Sequence, residues 1–304
     1  MILTVTPNPA VDLTYEVDEL DVGESHRVAA PAVRAGGKGI NVARVIAQTG
    51  GSAFALTTAG GPAGVRLADD LEASSLPHEV VPVAAQTRSS VAIVDRSSGL
   101  TTIFNETGGQ LSAAEWSALW DAVTRLSVPA TCIVGSGSLP PGAPEDFYAE
   151  LVALATARGI PSIVDATGPG LLRAAEAGAS VLKPNRRELA ESTGESDPVA
   201  GARILLERGA GLVLVSLGAD GMLAIGPSSS RVHARLAEPL HGNATGAGDA
   251  GVAAVATCLA AGVTDPERIL RRATAWSAAA VLAPLAGELD PSYPEIETRL
   301  IVTG

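Results

Sequence analysis

The sequence predicts an α/β fold: a mostly parallel central sheet with helices on both faces, plus a small β flap. Three observations predict it. Short β-branched runs alternate with longer helical patterns along the chain. The strand candidates are almost continuously apolar, as strands covered on both faces are. One pair of alternating runs joined by a tight turn interrupts this order and reads as a hairpin.

In chain order, strands are expected at residues 2–6, 53–57, 131–134, 162–165, 180–182 and 212–216, and again at 222–225 and 231–235 around a turn at 226–230. Helical patterns fall at 39–49, 64–73, 112–126, 144–158 and 199–208, followed by two Ala-rich stretches at 245–261 and 265–282. The hairpin runs from SVAIVD through a turn at 96–99 into LTTIFN, residues 89–105. A mixed stretch at 13–33 joins it in a flap expected to be antiparallel. The chain is thus one domain, 1–304, with a β lid from about 13–35 and 87–106, and it shows no internal repeat or linker.

Composition narrows the function. With 46% hydrophobic and 18% charged residues over 304 positions, the chain can bury a sizeable core. A net charge of −12 disfavours nucleic acid and anionic membrane surfaces as partners, because both are gripped by Lys and Arg. Two cysteines in apolar stretches read as core thiols, and the four histidines lack metal-ligand spacing. No basic leader or bilayer-length apolar run is present, so a cytoplasmic protein is expected.

Three glycine-rich segments carry the chemistry. Gly246-Ala-Gly-Asp-Ala-Gly251 fits GxGxxG, but it comes late and places Asp249 where a carboxylate repels a pyrophosphate, which argues against a dinucleotide. Backbone N–H groups at that helix start can instead surround an anion, and Asp249 can take a proton from a hydroxyl attacking it. On these residues alone, Asp249 reads equally as a charge complementing the helix dipole. Gly36-Gly-Lys-Gly-Ile-Asn41 is not a Walker A loop, since Gly39 stands where Ser or Thr is required. It offers bare backbone, a cation and an amide to a polyhydroxylated or phosphorylated ligand; a tight turn with a solvated lysine is the plainer alternative. Gly135-Ser-Gly-Ser-Leu-Pro-Pro-Gly142 follows an apolar strand, where open α/β sheets bind ligands, and lacks the GxSxG of a hydrolase. Other polar strand ends are Asp165, Lys183-Pro-Asn185 with Glu188, and Ser216-Leu-Gly218. Asn185 is also a good helix N-cap.

In order and over essentially the whole chain, these segments resemble the ribokinase-like (PfkB) family of carbohydrate kinases. Thr4-Val-Thr-Pro-Asn-Pro-Ala-Val-Asp12, the 36–41 motif running on to Arg44, and the 136–142 loop are similar to its hexose-phosphate kinase branch. The resemblance implies ATP-dependent phosphorylation of a sugar phosphate: fructose 1-phosphate first, then tagatose 6-phosphate or fructose 6-phosphate. It implies Asp249 as catalytic base, with the backbone of Gly246, Ala247 and Gly248 as anion hole. Asp12, Gly36, Gly37 and Asn41 would meet the sugar. Lys38, Arg27 and Arg88 would stand near its phosphate, with Ser138 assisting; for Arg27 and Arg88 a solvated surface role is the alternative. On the nucleotide side it implies Lys183, Asn185, Glu188, Ser216, Gly218 and Gly221. Mg²⁺ would be associated with Asp165 and with Glu188 through water. The lid would close over the sugar and form a homodimer contact. Two segments depart from the family pattern, His241-Gly-Asn-Ala and the 273–280 stretch with Trp276 and Ser277, and both bear on the nucleotide. A kinase of unphosphorylated sugars, a non-catalytic sugar-phosphate sensor and a dehydrogenase are the competing readings.

Overall fold

The computed structural model describes residues 1–227 and 231–304. The chain runs β1 (Ile2–Thr6), β2 (Ala10–Val17), β3 (Ala32–Gly36), α1 (Lys38–Gln48), β4 (Ala53–Ala59), α2 (Gly61–Ala73), β5 (His78–Pro82), β6 (Arg88–Asp95), β7 (Thr101–Asn105) and α3 (Ala113–Leu126). It continues with β8 (Cys132–Ser136), α4 (Phe147–Ala157), β9 (Ser162–Asp165), α5 (Pro169–Glu176), β10 (Val181–Leu182), α6 (Arg186–Thr193), α7 (Pro198–Glu207), β11 (Val213–Ser216), β12 (Met222–Ile225) and β13 (Arg231–Arg235). It ends with α8 (Ala247–Ala260), α9 (Pro266–Val281), α10 (Tyr293–Thr298) and β14 (Ile301–Thr303). Part of the turn expected at 226–230 lies outside the described residues.

The main sheet has the order β14-β13-β12-β11-β10-β9-β8-β1-β4-β5. The strands from β5 across to β11 are parallel, and the three joints from β11 out to β14 are antiparallel. Along β1, Ile2 belongs to one apolar core, and Leu3 and Val5 to the other. This alternation is what a strand covered on both faces shows. From β1 the sheet grows to one side through β4 and β5 and to the other through β8. The crevice outside the carboxyl ends of β1 and β8 is therefore a topological switch point, where ligands bind in such sheets.

Helix α8 explains the high alanine content. It is apolar nearly all round and buried along most of its length, against α1 and α9 and over β1, β8 and β9. Small side chains allow that close approach, and each fully buried valine, such as Val252 or Val255, adds about 1.5–3 kcal/mol. Cys132 and Cys258 are free and buried, as expected.

The lid is the four-stranded sheet β3-β2-β6-β7. It is mixed, not antiparallel as expected: β2 pairs β6 in parallel over eight registers. The chain re-enters the main domain through α1, β4, α2 and β5 between those strands, so both leave it in the same direction. Pattern reading also missed β5, α5, α6, α10 and β14. Helix α6 shows why. It buries only Leu189, so it has almost no apolar period. It begins instead with a reciprocal cap, in which the Glu188 N–H donates to Asn185 Oδ1 (2.8 Å) and the Asn185 N–H to Glu188 Oε2 (2.9 Å).

Candidate active site

At the switch point the polar residues form a buried charge cluster. Lys38 opens α1 and donates to Asp165 Oδ1 (3.1 Å) at the end of β9 and to Glu188 Oε1 (3.3 Å) in the first turn of α6. Lys183, just past β10 and buried, stands 3.9 Å from Asp165 Oδ2. Removing ions from water costs several kcal/mol each, so the cluster persists only because it is paired. Burial acts against the Asp165 charge, but Lys183 and Lys38 outweigh it and hold the carboxyl below its usual range. Burial likewise acts against the Lys38 charge, and Asp165, Glu188 and Asp249 outweigh it and raise that group.

Asp249 lies in the first turn of α8, buried, with Asn41 Nδ2 donating to its Oδ2 at 2.8 Å. Burial pushes its pKa up to about 7, with Asp165 adding to the rise and Lys38, Asn41 and Lys183 opposing it. A carboxylate poised there is matched to general-base work near neutral pH. Asn41, expected on sugar hydroxyls, is committed through its amide nitrogen to aiming this base.

Before α8 the chain turns at Gly246, whose φ of +84° admits the turn without strain. The Ala247 N–H is given to Ala244 O at 3.2 Å, closing that turn. Ala247 is therefore corrected out of the expected anion hole. Among the described residues no backbone carbonyl takes the N–H of Gly246 or Gly248. The Lys183 ammonium stands close to Gly248.

On the lid side, Asp12 and Gly36 are brought together: a Cβ on Gly36 would lie 2.1 Å from the Asp12 carboxyl, so a side chain there would displace that carboxyl. Burial raises the Asp12 pKa to about 6, against Arg88, Arg34 and Arg44. Arg88 donates to Asn8 O (3.2 Å) and Glu106 O (3.1 Å), which fixes its guanidinium beside Asp12. Ser138 Oγ receives Asn8 Nδ2 at 3.3 Å, and the same nitrogen donates to Thr107 O at 3.0 Å. Asn8 thus joins the loops after β7 and β8, a role that its place in the first motif did not reveal.

Two placements differ from expectation. Lys38 bonds to the carboxylates of β9 and α6, not to the arginine side of Asp12, because its place at the start of α1 faces those strand ends. Arg27 is exposed on the connection between β2 and β3 and is not gathered into the site within its own chain.

The nucleotide-side expectations converge better. Asn185, Ser216, Gly218, Gly221, Ala247 and Gly248 line one cavity of about 410 Å³. The departures from family pattern line it too: His241, Gly242, Thr274 and Ser277, with the Thr274 and Ser277 hydroxyls buried without partners. Trp276 instead points into the core, packing edge-on to Tyr293 at 5.5 Å. Helical spacing within α9 could have separated Thr274 and Ser277 from Trp276.

Oxygen ligands for a hard cation are also present. Asp165 Oδ2 is buried without a hydrogen-bond partner, and Glu188 has one oxygen free of the α6 cap. No group of three or more His, Cys, Asp or Glu among the described residues could hold a metal ion. No described helix is long and apolar enough to cross a membrane.

The buried Asp249 stands at the start of α8, where the preceding residue Gly248 lines the cavity of about 410 Å³, and known proteins of similar sequence can be set beside this arrangement. A 1-phosphofructokinase of Xanthomonas campestris is 36% identical over 99% of this chain and 98% of its own length. An ATP-dependent 6-phosphofructokinase isozyme 2 of Mycobacterium tuberculosis is 36% identical over 93% and 84%. The solved structure of a possible 1-phosphofructokinase from Thermotoga maritima superposes with a TM-score of 0.90 at 25% identity, covering 100% of this chain and 99% of that one. A family profile described as pfkB family carbohydrate kinase matches residues 5–292. The chain belongs to the pfkB family of carbohydrate kinases.

Proposed function

We propose that this protein is an ATP-dependent kinase of hexose phosphates that converts fructose 1-phosphate to fructose 1,6-bisphosphate. The observation that carries the reading is the buried Asp249, aimed by Asn41 and standing between the lid residues and the nucleotide-sized cavity. Asp12 and the Gly36–Gly37 backbone hold sugar hydroxyls, and Arg88 pairs with the substrate's phosphate, a bidentate task suited to arginine. The cavity takes the nucleotide.

In the transfer step Asp249 accepts the proton of the attacking hydroxyl. The sugar oxygen bonds to the γ-phosphorus as the bridging bond to ADP breaks, and that electron pair leaves with ADP. Charge on the transferring group meets the Gly246 and Gly248 N–H groups, Lys38 and Lys183. Mg²⁺, when bound, neutralises nucleotide phosphate charge. Asp165 suits it directly and Glu188 through water, most of its other positions being water or phosphate. The lid excludes water, since hydrolysis of ATP competes with transfer.

We further place the protein in the cytoplasm and read it as a homodimer through the lid. Val33 and Phe104 are exposed and lie in one row across the lid sheet, through Leu13 and Val91, an apolar pair suited to a second copy. Arg27, exposed on the lid connection, is then free to serve across that contact. Phe104→Asp is expected to shift the mass measured by light scattering from dimer to monomer.

The deciding assay couples ADP release to sugar phosphorylation with magnesium, across fructose 1-phosphate, fructose 6-phosphate, tagatose 6-phosphate, free fructose and ribose. Preference for fructose 1-phosphate is the expected result. Preference for either 6-phosphate moves the assignment to that substrate. Activity on free sugars alone removes Arg88 from phosphate binding, and sugar-phosphate binding without turnover establishes a sensor.

A further inference from the structure

We propose that Arg34 is a positioning residue that ties the lid to the anion hole and so transmits sugar occupancy to the phosphoryl-transfer site; this rests on the kinase reading above. Arg34 sits on β3 directly opposite Asp12 on β2. Its side chain leaves the lid, and Nη1 donates to Ala286 O (3.1 Å) and to Glu288 Oε1 (2.9 Å).

Residues 286–288 are the segment on which the anion hole rests. A Cβ at Gly246 would lie 2.9 Å from Ala286 Cα and 3.2 Å from Gly287 N, so the two backbones touch. Gly287 also abuts Asn41, with only 3.0 Å between its missing Cβ and Asn41 Oδ1. Ala286 and Gly287 therefore abut the Gly246 turn, and Gly287 also abuts the side chain that aims Asp249.

Hydrogen bonds add to the packing that holds this segment. A cavity of about 480 Å³ lies against it, lined by Arg34, Arg44, Ser75, Gly287 and Glu288 among others. Its remaining side-chain anchors come from the main domain: Asn243 Nδ2 to Pro284 O (3.0 Å), and Gln48, which bonds both the carbonyl (2.7 Å) and the N–H (2.9 Å) of Leu289. Arg34 is the anchor that comes from the lid. The open cleft beside the segment leaves it room to shift when that anchor is lost. Sugar bound at Asp12 favours the lid position in which Arg34 reaches Ala286. By linkage the nucleotide must then favour the same position and tighten sugar binding by the same factor.

The test compares wild type, Arg34→Met and Arg34→Lys, each first shown to be folded by thermal melting. Binding of a non-hydrolysable ATP analogue is titrated with and without saturating fructose 1-phosphate, alongside steady-state kinetics. In wild type the sugar phosphate is expected to change analogue affinity by about five-fold or more, within the usual range of coupling. Arg34→Met is expected to bring that factor to about one and to lower kcat more than it raises the sugar KM, roughly ten-fold against less than three-fold. Arg34→Lys, which keeps a cationic donor, is expected to recover part of the coupling. A Met variant with raised sugar KM and unchanged coupling overturns the proposal and leaves Arg34 as a local support for Asp12. A wild-type protein that turns over no sugar phosphate sinks the kinase reading instead. Hydrogen exchange of residues 284–289 without ligand then decides the strut: faster exchange in Arg34→Met supports it, and equal exchange in both proteins overturns it.

Discussion

The main sheet and the lid surround their buried carboxylates with cations in different ways. Below the sheet's carboxyl edge, Asp165 and Asp249 are buried among Lys38 and Lys183. Asp165 is held charged by two ammonium groups. Asp249, aimed by a neutral amide and repelled by Asp165, is held near neutrality. On the lid side, the Asp12 pKa is raised by burial, and the carboxyl is faced by Arg88 and Arg34 of the lid sheet and by Arg44 of α1. On the function proposed above, the first cluster sets proton affinity for chemistry, and the lid side places the Arg88 guanidinium, which stays charged and binds bidentately, for recognition. Substitutions should divide accordingly: those in the sheet alter kcat and those at the sugar side of the lid alter the sugar KM, with Arg34, which leaves the lid for Ala286 and Glu288, grouping with the sheet.

The largest effect is expected from Asp249→Asn. The amide keeps its shape and its bond from Asn41 but accepts no proton. Turnover should fall about 10³-fold, within the range for loss of a general base. Calorimetric affinities for the sugar phosphate and for the nucleotide should stay within about three-fold of wild type. A variant that kept near-native turnover would falsify the base assignment and would make Asp249 a helix-start charge only.

Next comes Lys38→Met, which sharpens the comparison by removing a cation without touching the base. A loss of about 10² in kcat is expected from the missing charge at the transferring group. The pH profile adds a sign. Asp249 must be ionised to act, so activity rises with pH through about 7. Lys38 lowers that pKa, so its loss should move the rising limb to higher pH. A limb that stays in place would show that Lys38 does not face the base.

In the lid, Arg88→Ala should raise the sugar-phosphate KM about 10- to 100-fold with kcat changed less than three-fold, the signature of lost uniform binding. Gly36→Ala is the steric counterpart. Its new Cβ meets the Asp12 carboxyl, so a similar rise in KM is expected even though no charge is removed. Equal losses of kcat and kcat/KM in either variant would erase the division between lid and sheet.

Legibility in the sequence divides along the same line. The parallel strands were readable because burial on both faces forces continuous apolar runs, and β1 and β9 fall at the expected bounds, as do β12 and β13 of the antiparallel edge, whose turn signal marked them. The lid was readable as a hairpin but not as a mixed sheet, because the β2–β6 pairing spans a large part of the main domain and leaves no local signal. Among site residues, Asp249 and the glycines were legible because backbone geometry restricts which residue types can stand there. Arg34, Asn8 and Thr274 were not. Their roles come from register and from partners far away in sequence: Arg34 matters because β2 pairs β3 and because its partner lies 254 residues on. The Asn185–Glu188 spacing carried two meanings at once, a nucleotide-side motif and a helix cap, and only the second needs no ligand to explain it.

The smallest effect tests whether the buried region is tuned at the expense of stability. The folded-state pKa of Asp249 lies near 7, against 3.8 for an ordinary aspartate. Between those values the native chain holds a proton that the unfolded chain has released. Its contribution to stability is therefore full below about pH 4 and is lost as pH rises toward 7. The side-chain amide of the Asp249→Asn variant stays neutral in both states and escapes that loss. The variant should match wild type near pH 4, if both remain folded there, and exceed it at pH 8 by about 4 kcal/mol, the size of a shift of about three pKa units at about 1.4 kcal/mol each. Thermal melts at the two pH values read this directly, as a rise in Tm of several degrees at pH 8 only. A variant no more stable than wild type at pH 8 would mean that Lys38 and Lys183 compensate the buried charge fully. The base would then titrate as an ordinary carboxylate, and the contrast between Asp249 and Asp165 would lie in geometry alone.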